Sequence, residues 1–210
     1  MTGTGVMNKK LLIIGAGGHG RVVADVASRT GRYEALAFLD DSVPEGPLPY
    51  PYLGNCAMAE QLVAEYDMFV AIGNGAVRQK LMERLVSIGA HMATVIAPDA
   101  VIGADVQIGT GTVIMSGVVI NTATRIGQGV IVNTASSVDH DCVIEDYCHV
   151  AVGAHLCGTI HIGAQTWIGA GATVINNTQI CSGCIIGAGA VVIRNIEEAG
   201  TYVGVPAKKV

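Results

Sequence analysis

Across residues 95–193 an aliphatic side chain returns at every sixth position without a break. The series runs Ile96, Ile102, Ile108, Ile114, Ile120, Ile126, Val132, Val138, Ile144, Val150, Leu156, Ile162, Ile168, Val174, Ile180, Ile186 and Val192. Four residues after most of them stands a small side chain, among them Thr112, Thr124, Ser136, Cys142, Cys148, Ala154, Thr166, Ala172, Thr178, Cys184 and Ala190. Neither the helical period nor strand alternation produces a strict repeat of six. Three such units make one triangular coil with short strands as faces. Residues eighteen apart then stack at the ordinary strand spacing of about 4.8 Å. The aliphatic residue points into the prism and the small residue sits near the tight corner. The pattern predicts a parallel β-helix over residues 95–193.

Upstream the pattern changes. Residues 9–14 read as a buried strand and residues 21–28 as a helix. Residues 34–39 form a second strand, 58–66 a helix, 68–72 a third strand and 77–88 a helix with Leu81, Leu85 and Ile88 on one face. This βαβαβα alternation predicts a small Rossmann-like α/β domain with a parallel sheet over residues 9–94. Residues 1–8 read as a leader and 194–210 as a cap and tail. Only four residues, Leu11 to Ile14, make up the first apolar run, too few for a signal peptide.

Charge excludes some functions. A formal charge of −5, without a Lys/Arg run, argues against a nucleic-acid surface. Apolar stretches are too short to span a membrane. Cys142, Cys148 and Cys184 fall on the inward small-residue rung, Cys157 and Cys181 follow ladder aliphatics, and Cys56 lies in the first domain. Cys181 and Cys184 stand three apart on one short repeat. All six read as reduced core fillers rather than metal ligands or disulfides, which implies a cytoplasmic home.

Gly15, Gly17 and Gly20 satisfy G-x-G-x-x-G between strand and helix, with Asp40 twenty residues after Gly20. That spacing alone suggests a dinucleotide-binding dehydrogenase, but about ninety residues are too few for a full dinucleotide fold with a substrate domain. The motif's physical content is broader: glycines admit a ligand close to the backbone, and a helix N-terminus favours an anionic group. Asp40 and Asp41 can accept hydrogen bonds from a ribose or a base. A nucleotide-linked ligand fits as well as NAD, and a tight turn without a ligand is the plainer alternative.

In the solenoid, Asn133-Thr134 and Asp139-His140-Asp141 interrupt a run of small residues. His140 falls at a corner, facing outward, with the Asp141 carboxylate adjacent to orient its imidazole and raise its basicity. His149, His155 and His161 each precede a ladder residue. Six apart, they fall on three successive faces, which argues against one metal within a subunit. Trp167 also faces outward, toward an interface or a cofactor.

The repeat of six followed by Gly204-Val205-Pro206-Ala207-Lys208 resembles the hexapeptide-repeat acyltransferases with a left-handed β-helix. The closer resemblance is to bacterial nucleotide-sugar N-acetyltransferases of the bacillosamine and related pathways, with sialic acid O-acetyltransferases as similar relatives. It is carried by Gly15 to Gly20 with Asp40-Asp41, by Ala71-Ile72-Gly73-Asn74 with Arg78, and by Val132-Asn133-Thr134 through His140-Asp141-Cys142 to His149. The resemblance implies a UDP-linked amino sugar on the first domain, near Gly17, Gly18, His19, Asp40, Asp41, Gly73, Asn74 and Arg78. It implies acetyl-coenzyme A between neighbouring prisms of a homotrimer, along His149, Gly169, Ala170 and Ala188, with Pro206 and Lys208 in a tail that closes over it. His140 matches the family's catalytic base and Asp141 the acid beside it, with no metal required. A backbone N–H near Gly158 or Gly163 would steady the oxyanion. GDP-perosamine or a sialic acid as acceptor, a zinc carbonic anhydrase on the same solenoid, and a non-catalytic nucleotide-sugar sensor are the alternatives.

Overall fold

The computed structural model describes residues 9–210, so the expected leader lies outside the described residues. In the first domain β1 (Lys9–Ile14) is the central strand of a three-stranded parallel sheet. It lies between β2 (Tyr33–Leu39) and β3 (Tyr66–Val70). Leu11 to Ile14 are at most 2% exposed, as a strand covered on both faces requires. Leu11 and Ile13 pack with Val23 and Val26 of α1 (Gly18–Arg29), whereas Leu12 and Ile14 pack with Met82 and Leu85 of the later helix Gly75–Ser87. The α1 side of the sheet is continuous with the solenoid core through Ala93, Val95 and Val113.

Two predicted elements are corrected. The helix expected over residues 58–66 is only a 3₁₀ turn, Cys56–Met58, followed by the single turn α2 (Ala59–Leu62). Glu65 N–H donates to Leu62 O, closing the turn, and the chain pairs with β1 already at Tyr66, two residues before the expected strand. Helix α1 begins three residues earlier than expected, so Gly18-His19-Gly20 forms its first turn. The last helix, α3 (Gly75–Ser87), is capped by Asn74, whose Oδ1 accepts from Val77 N–H at 3.0 Å.

From Val95 onward the chain winds as a parallel β-solenoid of two-residue strands. The first face stacks Val95–Ile96, Val113–Ile114, Ile131–Val132, His149–Val150, Trp167–Ile168 and Ile185–Ile186. A second face carries Val101–Ile102, Val119–Ile120, Ser137–Val138, His155–Leu156, Thr173–Val174 and Val191–Val192. The third carries Gln107–Ile108, Arg125–Ile126, Val143–Ile144, His161–Ile162 and Gln179–Ile180. All registers are eighteen residues. The small rung from Thr112 to Ala190 is at most 2% exposed. Its hydroxyls find partners inside: Thr112 Oγ1 donates to Gly127 O, and Thr124 Oγ1 to Asp139 O. Ile102 departs from the ladder, 37% exposed, because its strand ends the second face and no coil lies beneath it. At the far end Thr201–Val203 adds to the first face beside Ile185–Ile186 and pairs antiparallel with Lys208–Lys209.

Two kinds of glycine occur in the strand-to-helix motif. A methyl group on Gly20 would lie 1.9 Å from Gly15 O, so only glycine lets α1 approach the end of β1. Around Gly17 and Gly18 there is open space. Gly20→Ala is therefore expected to destabilise the fold by about 1–3 kcal/mol in chemical denaturation, whereas Gly18→Ala leaves the midpoint unchanged.

Candidate active site

Around the glycine turn, Asp40 Oδ2 accepts from Ala16 N–H at 2.8 Å and Oδ1 accepts from Ser42 N–H at 2.9 Å. Asp41 Oδ1 accepts from Cys56 N–H at 2.9 Å. Both carboxylates thus order the loops at the strand ends while keeping lone pairs free. Gly17 precedes α1 without a capping side chain, which leaves first-turn N–H groups pointing at the open space beside Gly17 and Gly18.

The edge of this domain meets the first face of the solenoid. Gly73, Asn74, Tyr147, His149, Gln165 and Trp167 line a cavity of about 210 Å³ between them. His149 stacks on Trp167, one coil further on, with ring centroids 4.9 Å apart and planes 22° apart, and its ring lies 6.4 Å from that of His19. Asn133 Oδ1 accepts from Thr134 N–H, so the Asn133 amide turns its NH₂ toward His149 Nε2 at 3.2 Å. His149 Nε2 is then the acceptor and Nδ1 carries the proton, buried without a partner, as is His19 Nε2. Burial, then the charge of Arg78, lowers His19 to about 4. Burial, then His19 and Arg78, lowers His149 to about 3. Both rings are neutral at pH 7.

Arg78 has a different position from the one its motif suggested. It is fully buried, and all five of its N–H donors meet main-chain carbonyls. Nε donates to Gly129 O, Nη1 to Ile72 O and Gly73 O at 2.6 and 2.9 Å, and Nη2 to Tyr147 O and Cys148 O at 2.6 and 3.1 Å. No donor remains for a sugar or phosphate. The residue joins α3 to two solenoid corners, and burial lowers it to about 10.

His140 stands on the edge between the second and third faces, after Ser137–Val138 and before Val143–Ile144. Asp141 takes the left-handed corner at φ 56, which Asp tolerates better than most residues. His140 Nδ1–H donates to Asp141 Oδ2 at 2.7 Å, leaving Nε2 as a free acceptor on an exposed ring. The hydrogen bond to Asp141, then the charges of Asp139 and Asp141, raise the imidazole above its ordinary range despite partial desolvation. Asp139 holds the backbone: its Oδ1 accepts from His140 N–H at 2.9 Å and from Asn121 Nδ2 at 2.7 Å. Sequence reasoning gave neither Asp139 nor Asn121 a role, although their separation of one coil was a usable signal. A methyl group on Gly158 would lie 2.5 Å from His140 Nε2, so glycine there keeps the imidazole clear.

Gly169, Ala170 and Ala188 share the edge between the first and second faces. The tail docks on it, with Ala207 N–H donating to Val191 O and Val191 N–H to Gly204 O. Pro206 is half-buried against this edge and Lys208 is exposed. His155 and His161 lie on separate faces from His149, and among the described residues no three His, Cys, Asp or Glu side chains gather as a metal site. Nor is any helix among them long and apolar enough to cross a membrane.

A solenoid of hexapeptide repeats that carries a small α/β domain defines a class, and comparison with known proteins agrees. Residues 10–85 match the PglD N-terminal domain, and residues 159–194 the bacterial transferase hexapeptide repeats. The GDP-perosamine N-acetyltransferase of Escherichia coli O157:H7 is 32% identical over 169 residues, 77% of this chain and 76% of that protein. The UDP-N-acetylbacillosamine N-acetyltransferase of Bacillus subtilis (strain 168) is 35% identical over 51% of each chain. The acetyltransferase domain of PglB from Neisseria gonorrhoeae FA1090, solved with acetyl coenzyme A, superposes with a TM-score of 0.93. It is 39% identical, over 97% of this chain and 100% of that one. The chain belongs to the PglD-like family of hexapeptide-repeat sugar N-acetyltransferases.

The buried histidines set an acid limit on stability. The unfolded chain takes up protons near 6.5, whereas folded His19 and His149 resist until about 4 and 3. Their contribution is therefore present above pH 6.5 and declines as pH falls toward 4. Urea midpoints are expected to drop between pH 7 and 5, with a shallower drop in His149→Phe.

Proposed function

We propose that the chain transfers the acetyl group of acetyl-coenzyme A to the 4-amino group of a UDP-linked 4-amino-4,6-dideoxy sugar, with His140 as general base. The observation that carries this reading is the orientation of the dyad. Nδ1–H is committed to Asp141, so the free Nε2 lone pair is the one presented outward, beside Gly158. As the amine attacks the thioester carbonyl, Nε2 accepts its proton and the C–S bond breaks with the thiolate leaving. No covalent enzyme intermediate is required. The Cys142 thiol is an unsuitable nucleophile, buried and raised by that burial.

In this reading the nucleotide occupies the open glycine turn, with Gly17, Gly18 and His19 near the phosphates and Asp40 and Asp41 near the base. Gly73 and Asn74 line the sugar end, and Arg78 acts only through the position of the Gly73 carbonyl. Acetyl-coenzyme A follows His149, Gly169, Ala170 and Ala188 under the tail that holds Pro206 and Lys208. The His140 edge is the one that does not border the first face, the face on which the first domain packs. A site made of both is completed by a second copy, which supports a homotrimer with active sites between subunits. GDP-perosamine is the second reading for the acceptor, favoured by the longer match to the Escherichia coli enzyme.

Three measurements test this. His140→Ala is expected to lose about 10²–10⁴ in turnover while still binding both substrates. The wild-type rate is expected to rise with pH through the elevated histidine titration, and Asp141→Asn to move that limb to lower pH. Separate thermal-shift titrations with UDP, GDP, NAD and acetyl-coenzyme A are expected to show stabilisation by UDP and acetyl-coenzyme A, about 2.7 kcal/mol at a hundredfold excess over Kd. A response to GDP in place of UDP selects the perosamine-type acceptor, and a response to NAD alone contradicts the reading.

A further inference from the structure

Of the six thiols, four are read adequately as core fillers or isolated side chains, and two are not. Cys142 Sγ and Cys148 Sγ each donate to a main-chain carbonyl, Cys157 O and Gly163 O, with no second sulfur as partner. Cys181 and Cys184 instead face one another across one turn, Sγ to Sγ 3.5 Å. They are the first and fourth residues of the turn Cys181-Ser182-Gly183-Cys184, in which Gly183 adopts φ 73. A turn of this kind holds its ends within about 7 Å Cα to Cα, inside the range that a disulfide spans. The spacing is C-x-x-C, the arrangement of redox-active dithiols.

Access is asymmetric. Cys184 is fully buried. Cys181 is half-exposed and lines a cavity of about 290 Å³ on the third face, together with Glu145, His161, Ser182 and Asn195. The cavity wall carries a second His–carboxylate pair, His161 Nε2 to Glu145 Oε1 at 2.7 Å, clear of the His140 edge. A small polar oxidant therefore reaches Cys181 first, with Cys184 waiting behind it.

We propose that Cys181 and Cys184 form a reversible intrachain disulfide on exposure to a hydroperoxide. The Cys181 thiolate attacks the peroxide oxygen, the O–O bond breaks, and Cys181 becomes a sulfenic acid as hydroxide leaves. Cys184 then attacks the Cys181 sulfur and the sulfenic oxygen departs as water. Both cysteines are oxidised by one electron each, and one hydrogen peroxide is reduced to two waters. Burial, then the neighbouring Cys181, raises the Cys184 thiol to about 11, which keeps Cys184 from meeting the peroxide in place of Cys181.

The disulfide would act on the C-terminal hairpin. Cys184 Sγ lies 3.8 Å from Glu198 O, the carbonyl that also accepts from Tyr202 OH at 2.8 Å, while the Glu198 carboxylate pairs with Lys209. Drawing the sulfurs from 3.5 Å to a bond of about 2 Å turns Cys184 away from this anchor. If the tail closes over acetyl-coenzyme A, as proposed above, oxidation raises the KM for that substrate without lowering kcat.

Peptide mapping of the full chain after hydrogen peroxide treatment tests the disulfide independently of any acetyltransferase assay. The expected result is loss of two of the six thiols, a 181–184 cross-link, and full recovery with dithiothreitol. Cys184→Ala, which places at this rung the residue found at Ala154, Ala172 and Ala190, is expected to stop at a Cys181 sulfenic acid trapped by a 1,3-diketone. Wild-type protein should give no such adduct. Oxidation of Cys181 to sulfinic acid in the wild type without a cross-link, or a Cys184→Ala variant without the trapped adduct, would overturn the proposal.

Discussion

One buried guanidinium fixes the relation between the two parts of this chain. Arg78 extends from the start of α3 into the seam and donates to carbonyls of its own domain, Ile72 and Gly73, and of three solenoid positions, Gly129, Tyr147 and Cys148. A buried cation without a carboxylate partner is costly unless every donor is satisfied, and here every donor is. The geometry of the cavity follows from it. Gly73 and Asn74 are held against the first face, His149 and His19 are half-buried beside the seam, and both imidazoles remain neutral. Arg29 adds a second tie from α1 by donating to Asp99 and Ser116, and the apolar core runs through the same seam.

The solenoid supplies the second constraint, the eighteen-residue register. It sets Asn121 under Asp139, and thereby the backbone of His140. It places Gly158 beside the imidazole and stacks Trp167 on His149. Chemistry on this fold depends on corners, because the face-to-core positions are consumed by the aliphatic ladder and the small rung.

How much of this was visible in the sequence follows from the range of each interaction. A repeat of six is local and was read to the residue, and His140 with Asp141 stood out because a charged pair broke a bland corner. The glycine turn was legible too, although sequence could not separate Gly20, fixed by packing, from Gly17 and Gly18, open to a ligand. Arg78 was misread because three of its five partners lie 51 to 70 residues away at corners that look alike. The approach of His19 to His149 crosses the domain seam and leaves no periodic trace. Residues 58–66 read as helix, yet pairing with β1 took the chain from Tyr66 onward. Cys181 and Cys184 passed as fillers, although their spacing was noted, because Cys184 sits on the inward rung and spacing does not show that the two sulfurs approach to 3.5 Å.

The central claim is that the pocket on the first domain and the His140 base that serves it belong to different copies of the chain. Co-expressing His140→Ala subunits with Gly18→Trp subunits, whose added ring fills the open space at the glycine turn, tests it most directly. Each variant alone should be nearly inactive, and randomly mixed oligomers should recover roughly a quarter of wild-type turnover. Mixed oligomers that remain as inactive as their parents would place pocket and base within one chain and contradict the account.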